Sequence, residues 1–138
     1  MPFLLEIVTP EARIFSDQVD SVVLPGVEGE MGILPSHSSL VTTLKPGELV
    51  YTKAGKSTHL AVGEGLVEVT GNSTRVLTDM ALGADAIDEK AVEDAIARAK
   101  QDLAEIKEGS RPDEAAAFRA IIERSTAQLH IKRKRHTL

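Results

Sequence analysis

The spacing of the apolar residues changes near Asp85. Before this point, short runs of β-branched and apolar residues alternate with turns marked by glycine and proline. After it, apolar residues recur at the three- and four-residue spacing of a helix. The pattern therefore predicts a β-rich domain over residues 1–84 and a helical domain over residues 85–138. Such a division favours a protein that docks and moves over one that holds a catalytic pocket.

Nine short strands are predicted in the first domain, with turn residues between them. Because no helical run separates these strands, parallel βαβ units are disfavoured and an antiparallel sandwich or flattened barrel is favoured. The predicted strands are Phe3–Val8, Arg13–Phe15, Gln18–Leu24, Glu30–Leu34, Leu40–Leu44, Glu48–Tyr51, Thr58–Val62, Leu66–Thr70 and Thr74–Thr78. Ser16 and Asp17 are read as a turn, and Pro25-Gly26 as the end of the third strand.

Two amphipathic helices are predicted in the second domain. Asp88 is placed to cap the first helix, and Gly109 to end it. The spacing from Ser110 to Asp113 is that of a capping box at the start of the second. The apolar stripes are Val92, Ala95, Ile96, Ala99, Leu103 and Ile106 in the first helix, and Phe118, Ile121, Ile122, Ser125 and Leu129 in the second. Joined by a short break, the helices should form an antiparallel hairpin, which gives an α+β chain in two parts.

Composition excludes several classes of function. The chain has no cysteine, so disulfides, thiolate zinc sites and thiol nucleophiles are absent. Its four aromatic residues are too few for a stacking platform that binds single-stranded nucleic acid. The first residues lack the basic region of a signal peptide, and no segment approaches the ~20 apolar residues of a membrane span. We expect a soluble cytoplasmic protein that reaches a membrane only through partners.

The residues that could carry catalysis or bind a metal are not arranged to do so. Gly26, Gly29 and Gly32 do not have the spacing of a nucleotide-binding loop, and no Walker lysine follows them, so they are interpreted as turn glycines. The four histidines have no second histidine or cysteine at metal-ligand spacing. No serine-nucleophile motif is present either. The sequence therefore predicts neither an enzyme nor a metal site.

Charge is distributed unevenly along the chain. The formal net charge of −5 belongs to residues 1–84, with ten acids and five bases, whereas residues 85–138 hold eleven of each. The bases Lys132, Arg133, Lys134 and Arg135 are clustered at the end. This cluster could bind an acidic protein partner, or it could be a solvated helix end where cations suit the helix dipole. Nucleic acid is a third reading, which the acidity of the whole chain disfavours.

One segment resembles a known family. The string GVEGEMGILPSHSSLVTTLKPGEL, from Gly26 to Leu49, is similar to the epsilon subunits of bacterial F-type ATP synthases, which are equivalent to the mitochondrial delta subunit. Residues that match the family pattern are Gly29, Glu30, Gly32, Ile33, Leu34, Pro35, His37 and Leu40. Ser36 replaces a usual glycine, and Ser38-Ser39 replace Ala-Pro. The resemblance covers the whole length of the chain, including the helical domain.

The resemblance implies a β-sandwich of about ten strands followed by a helical hairpin. It implies a non-catalytic rotor subunit of the central stalk that couples proton translocation to ATP synthesis. The sandwich would bind the gamma subunit and sit on the c-ring, with Glu30 and His37 in the loop region that faces the ring. The protein would be peripheral at the cytoplasmic face of the bacterial plasma (inner) membrane. The rival hypothesis is a free-standing ligand- or nucleic-acid-binding module.

The family resemblance also makes the helical tail a regulatory arm. Folded, it lies against the sandwich; extended, it reaches the alpha/beta catalytic hexamer and inhibits ATP hydrolysis. About 45 helical residues at ~1.5 Å each would span roughly 65 Å, enough for that reach. The Lys132–Arg135 cluster could then contact an acidic loop of the catalytic subunit.

Some members of the family bind ATP where the tail begins, through the motif Ile/Leu-Asp-x-x-Arg-Ala. Ile87 and Asp88 match this motif, and Arg98 matches a supporting basic position. Ala91 stands where the motif has arginine, so the group with five hydrogen-bond donors is missing. The resemblance therefore predicts weak or absent ATP binding and no other cofactor.

Overall fold

The computed structural model describes residues 2–35, 38–106 and 111–136, with the backbone alone for residues 134–136. Ten strands precede one short 3-10 turn, Ala84–Ala86, and two α-helices. The strands are β1 Phe3–Val8, β2 Arg13–Val19, β3 Ser21–Gly26, β4 Gly29–Ile33, β5 Leu40–Leu44, β6 Gly47–Lys53, β7 Lys56–Val62, β8 Gly65–Thr70, β9 Ser73–Thr78 and β10 Ala81–Leu82. The helices are α1 Glu89–Ala104 and α2 Pro112–His136.

The strands form one continuous ladder that folds over into two layers. Its order is β10-β7-β6-β3-β5-β8-β9-β1-β2, and β4 pairs with β3. The ladder turns between layers at β3 and β5, which share the single pair Gly26↔Leu44. All strand pairs are antiparallel except β1 with β9. The predicted sandwich of about ten strands followed by two helices is confirmed.

Alternation along the strands builds the core between the layers. In β1, for example, Phe3, Leu5 and Ile7 are buried, whereas the residues between them are more exposed. The core contains Phe3, Leu5, Ile7, Val19, Val22, Leu24, Ile33, Leu44, Leu49, Val62, Val67, Val69, Val76 and Ala81. Aliphatic side chains thus supply nearly all of it, as a chain with four aromatic residues requires.

The predicted turn at Ser16 and Asp17 is wrong, because β2 runs through both residues. Along this part of β2 the chain pairs with β1, and Asp17 lies opposite Leu5. The Lys53 ammonium of β6 donates to the Asp17 carboxylate and holds its pKa below the usual range. A polar residue that usually marks turns is thus accommodated in a strand by a partner from the other layer. The rings of Phe15 and Tyr51 join the same two strands, with centroids 4.4 Å apart.

One predicted strand end and one unpredicted strand differ from the structure for local reasons. Pro25-Gly26 does not end the third strand but lies within β3. Pro25 has no amide hydrogen to pair, and its carbonyl accepts a hydrogen bond from the Lys45 amide at 2.9 Å. The two-residue strand β10 was not predicted because it is too short to show a periodic pattern.

The two helices form the predicted antiparallel hairpin. Arg133, near the end of α2, forms ion pairs with Glu89 and Glu93 at the start of α1. Asp88 caps α1 as predicted, since its carboxylate accepts a hydrogen bond from the Ala91 amide at 3.2 Å. Within the described ranges, neither helix has the length and hydropathy needed to cross a bilayer.

The start of α2 differs from the prediction. The helix begins at Pro112, and the Arg111 carbonyl accepts its first hydrogen bond, from the Ala115 amide at 3.1 Å. The cap position therefore falls on Arg111, one residue later than the capping-box spacing indicated. The predicted end of the first helix at Gly109 is wrong, because α1 ends at Ala104 with Glu105 at its C-cap. Gly109 and Ser110 themselves lie outside the described residues.

The apolar stripe of α2 was predicted on one side only. Ile121, placed on that stripe, is 39% exposed, whereas Ala127 and Ile131 on another side of the helix are buried. The helix packs against both α1 and the sandwich, so it buries two faces. A single period of 3.6 residues describes only one of them.

The hairpin lies on the sandwich through a small cluster of side chains, here called the seam. Its members are Ala61, Met80, Ile87, Val92, Ala127 and Ile131. The Gln128 amide nitrogen adds a contact to the Met80 sulfur at 2.8 Å. Three of the six are alanine or valine, so the attachment of the tail rests on few large side chains.

The close approach of β8 to β9 gives a test of the fold. A Cβ added at Gly65 would lie 2.8 Å from both the Leu77 carbonyl carbon and the Thr78 Cα, which are backbone atoms that cannot turn aside. At Gly32 an added Cβ would meet nothing within 4 Å. We expect Gly65→Ala to lower the free energy of unfolding by about 1–3 kcal/mol, as overpacking does, and Gly32→Ala to change it by less than about 0.5 kcal/mol. Urea unfolding measures both; equal effects would contradict the predicted close packing.

Candidate functional site

An apolar surface covers part of the outer face of the layer that contains β5, β8, β9, β1 and β2. Val41 of β5 is 70% exposed and Leu66 of β8 is 45% exposed. Thr43 pairs with Leu66, and Leu66 pairs with Leu77 of β9. We call Val8, Val27, Val41, Leu66 and Leu77 the apolar face.

The register of the strands makes this face continuous. Leu77 lies opposite Val8 of β1, and the Val27 amide donates to the Thr43 carbonyl at 3.2 Å. Directly paired residues on adjacent strands point to the same side of a sheet, so Leu66, Leu77 and Val8 form one row with Thr43. Val41 pairs with Glu68 and therefore lies in the neighbouring row on the same side. Contiguous apolar surface of this kind is typical of a site that binds another protein.

A charged row runs beside the apolar row on the same side of the sheet. Glu68 of β8 pairs with Arg75 of β9, which in turn pairs with Glu6 of β1. The Glu6 carboxylate lies 3.8 Å from the Arg75 guanidinium and 3.9 Å from that of Arg13. A partner on this face would therefore meet an apolar strip bordered by charges of both signs.

Glu30 and Leu34 lie on a different part of the sandwich. Glu30 is exposed on β4, opposite Pro25, and follows Gly29, the first residue of that strand, whose φ is 125°. Leu34 follows β4 and is also exposed. His37, the second predicted residue of this loop region, lies outside the described residues.

Two cations of the predicted basic cluster are engaged within the folded chain. The Lys132 ammonium donates to the Ala84 carbonyl at 3.1 Å. The Arg133 guanidinium lies 3.1 Å from a Glu89 carboxylate oxygen and 2.8 Å from one of Glu93. Hydrogen bonds to these carboxylates, Glu89 first and then Glu93, raise the pKa of Arg133. The side chains of Lys134 and Arg135 lie outside the described set.

The residues of the predicted weak ATP site have structural roles or lie apart. Ile87 is buried in the seam, and Asp88 caps α1. Arg98 is exposed on the same helix, about three turns after Asp88. The folded chain does not direct these three side chains to one point.

Sequence reasoning missed a polar cluster where α2 crosses the sandwich. The Glu48 carboxylate of β6 lies 3.3 Å from the His59 Nδ1 of β7 and 3.7 Å from the His130 Nε2 of α2. Arg124 of α2 also lies 3.9 Å from Asp79, which follows β9. Glu48 and His130 are far apart in sequence, and no local spacing signals their contact.

A groove separates α2 from the start of β6. Its volume is about 510 Å³, and its lining residues are Lys45, Pro46, Gly47, Glu48, Ile122, Glu123, Thr126, Ala127 and His130. In the ranges 2–35, 38–106 and 111–136, no three histidine, aspartate or glutamate side chains are arranged to hold a metal ion. The groove lies along the boundary between the tail and the sandwich.

Comparisons with known proteins agree with this architecture. The family model described as ATP synthase, Delta/Epsilon chain, beta-sandwich domain matches residues 2–84. The ATP synthase epsilon chain of Herpetosiphon aurantiacus is 40% identical over 135 residues, covering 98% of this chain and 97% of that protein. The ATP synthase epsilon chain of Nitratidesulfovibrio vulgaris strain DP4 is 42% identical over 128 residues, covering 93% of each.

Solved structures share the fold at low sequence identity. A chain in the cryo-EM structure of the Euglena gracilis mitochondrial ATP synthase, OSCP/F1/c-ring, superposes with a TM-score of 0.77 at 18% identity, over 99% of this chain and 82% of that one. A chain of the Tetrahymena thermophila mitochondrial ATP synthase central stalk/c-ring gives a TM-score of 0.55 at 14% identity, over 96% and 94%. The resemblance of the Gly26–Leu49 segment is confirmed by the full-length relatives, and the chain belongs to the ATP synthase epsilon chain family.

Proposed function

We propose that this chain is a non-catalytic rotor subunit in the central stalk of an F-type ATP synthase, where it helps couple proton translocation to ATP synthesis. The observation that carries the proposal is the similarity to epsilon chains over 98% of the sequence. The two structural neighbours come from mitochondrial ATP synthase assemblies, one of OSCP, F1 and the c-ring and the other of the central stalk and c-ring. The location that follows is peripheral, at the cytoplasmic face of the bacterial plasma membrane, with attachment through the complex.

The two sandwich surfaces suit two different partners. The apolar face, with Val41 and Leu66 exposed, suits the gamma subunit, because a stalk contact that turns as one body needs buried apolar area. Glu30, exposed on β4, suits the polar loops of the c-ring, and His37 is proposed as a second contact. The alpha/beta hexamer would be reached only by the extended tail.

The folded hairpin in this structure would be the non-inhibiting state of the regulatory arm. Lys132 and Arg133 are engaged with Ala84, Glu89 and Glu93 in this state. An acidic loop of the catalytic subunit would therefore compete with carboxylates of the tail itself. The competition would be strongest at low ionic strength, where exposed charges are least screened.

Weak or absent ATP binding belongs to the proposal. Ile87 is buried in the seam and Asp88 caps α1, so both side chains are already engaged. Ala91 supplies no charged hydrogen-bond donor. Isothermal titration calorimetry should show no saturation by ATP at micromolar concentrations. A dissociation constant in the micromolar range would contradict this part of the proposal.

The proposed binding of the gamma subunit to the apolar face can be tested by introducing one charged side chain. Val41→Asp places a carboxylate on the proposed contact beside Glu68, with which Val41 pairs, and the folded chain should tolerate it because Val41 is 70% exposed. We expect the affinity for the gamma subunit to fall at least about tenfold, which corresponds to ~1.4 kcal/mol. Ser57→Asp adds the same charge on exposed β7 and should leave the affinity unchanged. Equal losses in the two variants, measured by calorimetry, would remove the apolar face from the interface.

The regulatory role of the tail can be tested by removing it. In the assembled enzyme, a chain truncated after Asp85 should raise ATP hydrolysis several-fold while proton-driven synthesis persists. Hydrolysis that stays at the level of the full-length enzyme would show that the tail does not inhibit.

A second variant acts in the opposite direction and is the matched control. Glu89→Gln with Glu93→Gln removes the two carboxylates that hold Arg133 but keeps the tail. If the tail inhibits when it leaves the sandwich, hydrolysis should fall in this variant and rise in the truncated one. A rise in both would indicate only a weakened complex.

A further inference from the structure

Both arginines of the sandwich lie on the side of the sheet that carries the apolar face. Residues 1–84 hold ten acids and five bases, and Arg13 and Arg75 are the only arginines among those bases. Arg13 of β2 pairs with Val8 and so extends the apolar row. Arg75 of β9 pairs with Glu68 and lies in the neighbouring row. An acidic domain thus concentrates its two guanidinium groups beside its apolar surface.

Glu6 lies between the two guanidinium groups without using up their hydrogen-bond donors. Its carboxylate is 3.9 Å from Arg13 and 3.8 Å from Arg75, which are ion-pair distances but longer than hydrogen bonds. The Glu6 side chain is only 14% exposed, whereas those of Arg13 and Arg75 are 67% and 52% exposed. A partner on this face would therefore meet two cations, with the neutralising carboxylate largely covered.

The chemistry of these two side chains suits a carboxylate of a partner. A guanidinium is planar and weakly hydrated, and its fork of donors matches a carboxylate with two parallel hydrogen bonds, which is why arginine is enriched in protein interfaces. Because acids outnumber bases in residues 1–84, an acidic side chain of a partner is attracted here and disfavoured over much of the remaining sandwich surface. Glu68 lies opposite Arg75, so the cationic part of the face is the end formed by β1 and β2.

We propose that Arg13 and Arg75 bind an acidic side chain of the gamma subunit at the margin of the apolar face and so fix the orientation of that subunit on the sandwich. The inference rests on the proposed function, since it places the gamma subunit on this face. Apolar contact is non-directional, so a row of aliphatic side chains alone would let a partner slide or rotate. A charge pair at one end of the row selects one orientation, because any displacement leaves charged groups without their partners.

Calorimetry with the full chain and the gamma subunit tests this contact. Arg13→Gln with Arg75→Gln removes both cations, and we expect the affinity to fall at least about tenfold at low ionic strength. The loss should shrink as salt is added, because the charge attraction is then screened. The matched control is Lys56→Gln with Lys100→Gln, which removes the same total charge from exposed positions on β7 and α1. Its affinity should change by less than about twofold.

A companion pair of variants separates binding from stability. The double arginine variant leaves the largely buried Glu6 without its cations, which destabilises the sandwich by itself. The comparison is therefore repeated with Glu6→Gln in both chains, so that no unpaired carboxylate remains at this position. The tenfold loss of affinity should persist in this background, and thermal unfolding should show that both chains are folded.

Two results would overturn the proposal. One is an affinity that falls no further in the arginine variant than in the lysine control. The other is a loss that disappears in the Glu6→Gln background, because the effect would then come from the unpaired carboxylate. In either case, weaker binding by Val41→Asp in the same assay would leave the gamma subunit on the apolar face. Unchanged binding by Val41→Asp would remove that proposed contact as well.

Discussion

The attachment of the helical hairpin rests on the seam between α2 and the outer side of β7 and β10. Ile87 and Ile131 are the large aliphatic side chains fully committed to it, and Ala61 and Ala127 are small. Apolar burial stabilises a contact in proportion to its area, about 25 cal/mol per Å², so a seam in which three of six side chains are alanine or valine holds the tail without fixing it permanently. The main core lies between the two layers and does not use these residues. The sandwich can therefore keep its fold whether the tail is attached or not, which is what a detachable arm requires.

Polar contacts at the margins of the seam supplement this weak apolar contact. The pairs of Arg133 with Glu89 and Glu93 close the hairpin, and the Glu48 cluster joins α2 to the sandwich. Each of these pairs is partly exposed, so each contributes little on its own and responds to salt or a competing charge. An attachment that divides its strength between a small apolar seam and several exposed ion pairs can be shifted by modest changes in its surroundings. This sensitivity of the attachment arises from the seam and the ion pairs together and not from any single residue.

The sequence predicted the parts of the fold in which local pattern and final environment agree. β1 and β5 were predicted with both ends correct, because each has a complete pattern between turn residues. The prediction was wrong at Asp17, where Lys53 from the other layer stabilises a residue that usually marks a turn. It was incomplete for α2, because a helix between two partners buries two faces and Ala127 and Ile131 lie on the second. The Glu48 cluster had no complete local signal, because Glu48 and His59 share the β6–β7 hairpin but His130 joins them only when α2 packs on the sandwich.

The apolar face and the surface covered by the tail lie on opposite layers of the sandwich. The apolar face occupies β5, β8, β9 and β1, whereas the tail covers β7, β10 and part of β6. A partner can therefore occupy the apolar face while the hairpin stays folded. Within the described residues, the surfaces approach each other at the Lys45-Pro46 turn, where a second groove contains both Leu66 of the apolar face and Glu123 of α2. A partner that extended over this turn would contact the tail as well as the sandwich. If that partner stabilised the folded hairpin by some factor, folding of the hairpin would raise the partner's binding affinity by the same factor.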